Sequence, residues 1–213
     1  MKKAQNVNNF FWNKFYNKNN QIIEKPSSFS RFIFKYLKKI HKKKTFIIDL
    51  GCGNGRDLNF FKSKNLPCLG IDKSTVVAKK LNKKKKIIIL NNDFTNLNFD
   101  KIYNGEYSLY SRFTWHSINY SEESRLLKNL KKAKKINFLF IEARSIYDEL
   151  YAKGKKVGRH EYIDDHYRRF IDPKELKIKI KKIFKIIFFK TSKGLAKFKN
   201  EDPCIIRVIA IKK

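Results

Sequence analysis

Acidic side chains are scarce in this 213-residue chain: 19 Asp+Glu stand against 50 Lys+Arg, a formal net charge of +31 with neutral histidines. That excludes an acidic tail and a neutral secreted scaffold. Cysteine is scarcer still, and the three present, Cys52, Cys68 and Cys204, are odd in number and lack metal-ligand spacing. No apolar run approaches the roughly 18 residues that a membrane span needs. The N-terminal MKKAQNVNNFFWNKF turns polar where the apolar core of a signal peptide would follow its lysines. These absences indicate a reduced, cytoplasmic protein without a membrane span. Arginine is also sparse, nine against 41 Lys. Codon drift in an AT-rich genome produces that bias as readily as selection for an acidic partner, so net charge alone names no partner.

What is abundant is core material: 42% of residues are hydrophobic and 15% aromatic, enough for one globular domain at the upper edge of single-domain size. NNFFWNKFYN, Asn8 to Asn17, fits a short amphipathic helix, and the Pro26-Ser27-Ser28 break starts a second helix running to about His41. From Thr45 onward, apolar runs of strand length (TFIIDL, PCLGID, KIIIL, YSLYS, INFLFIEA) alternate with polar helical stretches. That rhythm predicts βαβ units and a parallel sheet covered on both faces. RDLNFFKSKN, STVVAKKLNK with Ser74 as N-cap, and SEESRLLKNLKKAKK with Ser121 as N-cap supply the crossover helices. Residues 144–170 are too long and polar for an ordinary connection, and their aromatics favour a functional lid over a disordered excursion. Asp172-Pro173 then opens a Lys-rich helix to about Lys182, and KIIFFK and CIIRVIAIK pair antiparallel at one sheet edge. The run Lys83 to Lys86 reads as a solvated helix end, and there is no internal repeat. The expected fold is α/β: a doubly wound, Rossmann-like seven-stranded sheet, mostly parallel with an antiparallel terminal strand, plus an N-terminal helical cap. It is read as a single domain over 1–213, with the cap at 1–43, a cofactor-binding core at 44–143, the lid at 144–171 and a C-terminal helix and strand pair at 172–213.

IIDLGCGNGRD, residues 47–57, is the informative segment, because a buried strand passes directly into a loop carrying Gly51, Gly53 and Gly55 and then into a helix. Glycines there let a ligand approach the backbone, and the tip of the first strand of a doubly wound sheet is where such folds bind nucleotide-like cofactors. Asp72 ends the next strand, placed to bind vicinal ribose hydroxyls. A dinucleotide site would share that acid. The G-x-G-x-G spacing and the position of Asp49, two residues before the first glycine, separate the two: a carboxylate there disfavours a pyrophosphate and suits a cofactor bearing an ammonium. S-adenosylmethionine has the ammonium and no phosphate. A plain strand-to-helix turn is the bland alternative for the loop, and ordinary core the bland alternative for Phe94. Cys52 reads as a small packing residue rather than a nucleophile.

These residues resemble the class I S-adenosylmethionine-dependent methyltransferases. By that resemblance GIDKS at 70–74, with Asp72 and Lys73, is the ribose motif, and NNDFTNL at 91–97 is the adenine motif, Asp93 accepting from the adenine amino group and Phe94 packing on the ring. YSRFTWHSI at 110–118, opening with Ser111, falls where the fourth strand faces the methyl group. YSRFTWHSI, IEARSIYDELYAKG and HYRRFI also resemble a narrower group that includes phosphonate O-methyltransferases and enzymes of capsule or surface-polysaccharide modification. That resemblance implies that Trp12 and Tyr16 close over cofactor and acceptor and that lid cations grip an anionic group. No NPPY-like sequence follows the fourth strand, which argues against base-amino methylation of nucleic acid.

Methyl transfer from a sulfonium is an in-line displacement, so the protein chiefly holds the acceptor and excludes water. A hydroxyl acceptor wants a base, whereas a phosphate or phosphonate oxyanion needs cations. Six of the nine arginines lie between Arg112 and Arg169, and the planar guanidinium suits bidentate contact with phosphoryl or carboxylate oxygen. Arg112, Arg159, His166, Tyr167, Arg168 and Arg169 are candidate acceptor ligands, with His116 and Arg144 as catalytic candidates and His116 left open between base and anion ligand. The bland alternative is a solvated loop whose Asp164 and Asp165 pair with Arg168 and Arg169. The expected cofactor is S-adenosylmethionine, with S-adenosylhomocysteine as product. The expected partner is a small anion such as a phosphonate, phosphoramidate, or phosphorylated or nucleotide-linked sugar. An RNA or ribosomal-protein methyltransferase is the alternative, disfavoured because the basic residues are spread rather than gathered in an appended module. No metal is expected, and a homodimer is left open.

Overall fold

The computed structural model describes residues 11–16, 25–42, 44–83, 87–198 and 200–213. Seven strands form one sheet, in the order Ile89–Asn91, Cys68–Asp72, Phe46–Leu50, Tyr107–Arg112, Ile136–Arg144, Ile205–Lys212 and Phe184–Ser192, and three more, Lys155–Gly158, Glu161–Ile163 and Tyr167–Arg169, form a separate sheet. The large sheet is mostly parallel with an antiparallel terminal strand, as its alternating apolar runs predict. The chain divides into two compact units, residues 1–94 and 95–213.

In the first unit, residues 11–16 form a short helix, α1, the described part of the one expected over Asn8–Asn17. α2 (Ser28–Lys39) buries Phe29, Ile33 and Leu37, spaced four apart so that they share one face. Ser27 caps it, accepting the Ser30 amide at 3.0 Å. Asp57, in the first turn of α3 (Arg56–Ser63), accepts from the Ser27 amide at 2.8 Å and the Ser27 hydroxyl at 2.7 Å. That buried carboxylate therefore ties α2 to the start of α3. β1 (Phe46–Leu50) pairs in parallel with β2 (Cys68–Asp72), which pairs in parallel with β3 (Ile89–Asn91). Between them α4 (Thr75–Lys83) starts after Ser74, whose hydroxyl accepts the Val77 amide at 3.3 Å. Of the Lys83 to Lys86 run, residues 84–86 lie outside the described set.

In the second unit β4 (Tyr107–Arg112) lies parallel to β5 (Ile136–Arg144), and β10 (Ile205–Lys212) is antiparallel to both β5 and β9 (Phe184–Ser192). The helix between β4 and β5, α5 (Tyr120–Lys132), starts one residue before the expected Ser121 cap. Asn119 caps it instead: its side chain accepts the Glu122 amide at 2.9 Å and the Glu122 carboxylate accepts the Asn119 amide at 2.9 Å, a reciprocal pair that Ser121 has no glutamate to complete. α6 (Pro173–Lys181) opens on Asp172 as the sequence predicts. The segment read as a lid is ordered, with β6 (Lys155–Gly158), β7 (Glu161–Ile163) and β8 (Tyr167–Arg169) forming an antiparallel meander. Tyr151, Tyr162 and Phe170 pack edge to face, with centroids 5.4 to 6.1 Å apart, which gives this small sheet its apolar filling.

Candidate active site

The glycine loop has the geometry that its composition requires. Gly53 and Gly55 take φ values of 52° and 71°, left-handed conformations in which a side chain is strained. A Cβ at Gly53 would collide with the Tyr16 hydroxyl, and one at Gly55 would press on Leu81 and Ile87. The loop leaves β1 hydrogen-bonded to β2, the Gly51 and Cys52 amides both donating to the Ile71 carbonyl at 2.7 and 3.1 Å. Asp49 is buried at the end of β1, facing Gly70 in register. Asp72, at the end of β2, accepts the Gly53 amide on one oxygen and the Ser74 amide on the other, each at 2.8 Å. Burial pushes its carboxyl up from the ordinary aspartate value, and the two amides oppose that shift. Each carboxylate oxygen has a further lone pair, so Asp72 has acceptor capacity beyond the two amides. Lys73 pairs with Asp93 at 2.9 Å, and Phe94 is buried beside them in sequence.

The aromatic helix α1 belongs to this unit. Tyr16 lies against the glycine loop with Trp12 stacked on it, centroids 6.0 Å apart. Burial, then the charge of Asp72, raises the Tyr16 phenol above its usual pKa, so it stays protonated. α1 is held by Ser74, whose hydroxyl donates to Asn13 at 2.7 Å, and by Lys80, which donates to the Tyr16 carbonyl at 2.6 Å. The Cys52 thiol is raised well above its ordinary pKa by burial and Cys68 is pushed up to about 11, as suits packing residues rather than nucleophiles.

The cationic residues gather in the second unit around one aromatic ring. Phe113, directly after β4, has φ 57°. That conformation costs a bulky residue on the order of 1 to 3 kcal/mol. Its amide donates to the Glu142 carbonyl at 2.8 Å. The Arg112 guanidinium stacks 4.3 Å from its centroid, Arg144 lies at 5.6 Å, and the His116 ring at 5.3 Å. Beneath them Glu142, fully buried on β5, pairs with Arg112 at 3.0 Å and Arg207 at 2.7 Å. A buried carboxylate needs such partners, because desolvation is offset only by close opposite charge. Ser111 is buried at the end of β4, its hydroxyl sharing a hydrogen bond with Thr114.

His116 is buried, and its Nδ1 accepts the Arg144 amide at 3.3 Å. A neutral imidazole accepting there carries its proton on Nε2. Burial, followed by the charges of Arg144, Arg168, His166 and Arg112, holds its pKa well below the usual histidine value. The Arg144 guanidinium is bound on both sides, to both Asp148 oxygens at 3.0 and 3.1 Å and to Glu201 at 2.8 Å.

The arginines of the lid segment divide. Arg169 is 2% exposed and inside the fold: it donates to the Ile118 carbonyl at 2.8 Å, pairs with Glu123 at 3.1 Å and stacks on Tyr120. Trp115 Nε1 and Lys179 bind the same Glu123 carboxylate, each at 2.7 Å. Asp165, one of the two acids expected to neutralise Arg168 and Arg169, pairs with Arg168 at 2.8 Å and lies 2.8 Å from His166, whereas Arg169 takes Glu123. Arg159 is exposed and paired with Glu175. Tyr167 is buried, and burial together with Glu161 raises its phenol pKa. The groups whose charge acts on His116 are therefore Arg112, Arg144, His166 and Arg168, while Arg159 and Arg169 pair with Glu175 and Glu123. Phe113, Glu142 and Asp148 were not singled out by the sequence reading. Glu142 left a signal, being a lone acid inside the apolar run INFLFIEA.

No family model and no curated protein sequence matches the chain. Solved structures do. Burkholderia thailandensis 1,6-didemethyltoxoflavin-N1-methyltransferase, solved with 1,6-didemethyltoxoflavin and S-adenosylhomocysteine, matches with a TM-score of 0.70 at 11% identity over 99% of this chain and 89% of its own. A S-adenosylmethionine-dependent methyltransferase from Methanosarcina mazei matches with a TM-score of 0.67 at 17% identity, over 82% and 96%. Magnesium protoporphyrin IX methyltransferase from Synechocystis, solved with S-adenosylmethionine, matches with a TM-score of 0.61 at 10% identity, over 86% and 78%. With its strand order and antiparallel terminal pair, the chain has the fold of the class I S-adenosylmethionine-dependent methyltransferases.

Proposed function

We propose that this protein is a S-adenosylmethionine-dependent methyltransferase that O-methylates a small anionic acceptor. In this reading residues 46–94 hold the cofactor. Asp72 receives the ribose hydroxyls, Asp49 lies toward the cofactor ammonium, Gly51, Gly53 and Gly55 give the close backbone approach, and Lys73, Asp93 and Phe94 frame the adenine. Tyr16, which lies beside Gly53 and carries Trp12 on its outer face, belongs with these rather than with the acceptor. When bound, the cofactor supplies an electrophilic methyl group on a sulfonium. The observation that carries the acceptor assignment is the packing of Arg112, Arg144 and His116 around the Phe113 ring, with the charges of His166 and Arg168 also acting on His116. Arginines so close together repel one another unless acids or a bound anion intervene. Glu142, Asp148, Glu201 and Asp165 hold these guanidiniums in place, and an anionic acceptor is the ligand class that such a held group of arginines suits.

The acceptor classes that suit this cluster are phosphonates, phosphoramidates and phosphorylated or nucleotide-linked sugars, as in surface-polysaccharide modification. The test is transfer of labelled methyl to a panel of these with bulk RNA alongside. Turnover of a small anion supports the reading, and label confined to RNA replaces it with that of an RNA methyltransferase.

A further inference from the structure

The two histidines of the cationic cluster have opposite partners. His116 Nδ1 accepts a backbone N–H, that of Arg144 at 3.3 Å. His166 Nδ1 lies 2.8 Å from a carboxylate oxygen of Asp165, an electrostatic contact without the alignment of a directed hydrogen bond. Two lone pairs would repel at that distance, so Nδ1 of His166 carries a proton. The same Asp165 oxygen is fixed by the His166 amide at 2.9 Å and by Arg168 at 2.8 Å, so it is held in place against the ring. In their neutral forms the two rings are therefore different tautomers: His116 presents an Nε2–H donor, and His166 presents an Nε2 lone pair.

We infer that His166, oriented by Asp165, is the proton acceptor of the reaction and that His116 is a hydrogen-bond donor to the same substrate. The assignment rests on the methyltransferase reading above and adds the acceptor's chemical form. A phosphoryl oxyanion has no proton to lose, so a resident base implies a substrate with two features: an anionic group for Arg112, Arg144 and Arg168, and a hydroxyl that is methylated. The hydroxyl passes its proton to His166 Nε2 as its oxygen bonds to the methyl carbon. The carbon–sulfur electron pair stays on sulfur, leaving a thioether, and the imidazolium then releases the proton to solvent. The groups that set the charge state of His166 support this role. Burial lowers its pKa, Arg168 and Arg144 lower it further, and Asp165 alone opposes them; His116 adds no charge because it is itself neutral. The ring thus enters the reaction unprotonated at neutral pH.

Two measurements on the full chain decide it. Long-range proton–nitrogen NMR of the four histidines, assigned with His166→Asn and His116→Asn, is expected to show the proton of His166 on Nδ1 and that of His116 on Nε2. Finding the His166 proton on Nε2 overturns the assignment. With a turned-over acceptor, kcat is expected to fall about tenfold per pH unit below the His166 pKa. His166→Asn keeps a donor toward Asp165 and should lower kcat about 100-fold with little change in KM. Asp165→Asn, which removes the one group raising that pKa, should move the acidic limb to lower pH. A flat profile together with a near-normal His166→Asn rate overturns the base and leaves the methyltransferase reading in place. Failure of every acceptor to turn over overturns both.

Discussion

The two units of the chain use charge differently. Between residues 46 and 94 the geometry of the glycine loop is set by backbone: glycines with left-handed φ, strand-end acids, and amides bound to Asp72. Between residues 107 and 207 the geometry is set by ion pairs, with Glu142, Asp148, Asp165 and Glu123 each taking one or two cations. A loop built from local backbone constraints is written in consecutive residues. A cluster built from ion pairs draws its members from wherever the fold brings them. The lesson is that scarcity of arginine points to a cluster but does not say which member faces a ligand and which braces the fold.

Arg169 is the sharpest case. Arg169→Ala would leave Glu123 with Lys179 and the Trp115 indole, and breaking a buried pair from one side typically costs about 3 to 5 kcal/mol. Chemical denaturation should show a loss near the lower end of that range, because Lys179 remains. An unchanged midpoint would mean that Arg169 is not a brace.

In the first unit the corresponding change acts on binding. Asp72→Ala removes an acceptor for two hydroxyls, and hydrogen bonds to a charged group contribute about 1.5 to 3 kcal/mol each. Calorimetric affinity for S-adenosylmethionine should therefore fall at least about 100-fold. Retained affinity would remove Asp72 from the ribose site.

A third test uses pH. Burial and the surrounding cations hold His116 below the ordinary histidine pKa in the folded chain, so the unfolded chain binds the proton more readily. The sign follows: stability is fully present above the unfolded value of about 6.5 and is lost as pH falls below it, by up to about 1.4 kcal/mol per pH unit. His116→Gln should flatten the denaturation midpoint between about pH 6.5 and 5 relative to the parent chain. A midpoint that keeps its full acid slope would place the sensitivity on His166, which burial and Arg168 also hold below the usual histidine pKa. Burial pushes Glu123 up, but Arg169 and Lys179 hold it below its usual pKa, so its contribution is lost at more acidic pH. The smallest effect is expected at the α5 cap, where Asn119→Ala should cost about 1 kcal/mol in thermal or chemical unfolding.

Much of the fold was legible because apolar runs and helix starts are local signals. The strands, the Asp172-Pro173 start and the antiparallel terminal pair stand where the pattern put them. The Asn119 cap was missed by preferring a serine to the residue with a glutamate three positions on. The three-stranded sheet in residues 155–169 was not legible, since its strands are three or four residues long and carry no clear alternation. At the site, the glycine loop and Asp72 were readable from spacing. The strained Phe113 was not, because its partners, the Glu142 carbonyl and the guanidiniums stacked on its ring, come together only in the fold and leave no trace in spacing.

On the proposed reading the first unit binds the cofactor and the second binds an anionic acceptor. The pair of constants that separates these roles is Kd for S-adenosylmethionine and KM for the acceptor in Arg168→Ala. KM should rise with Kd unchanged; a Kd weakened in step with KM would show that Arg168 does not act on the acceptor alone.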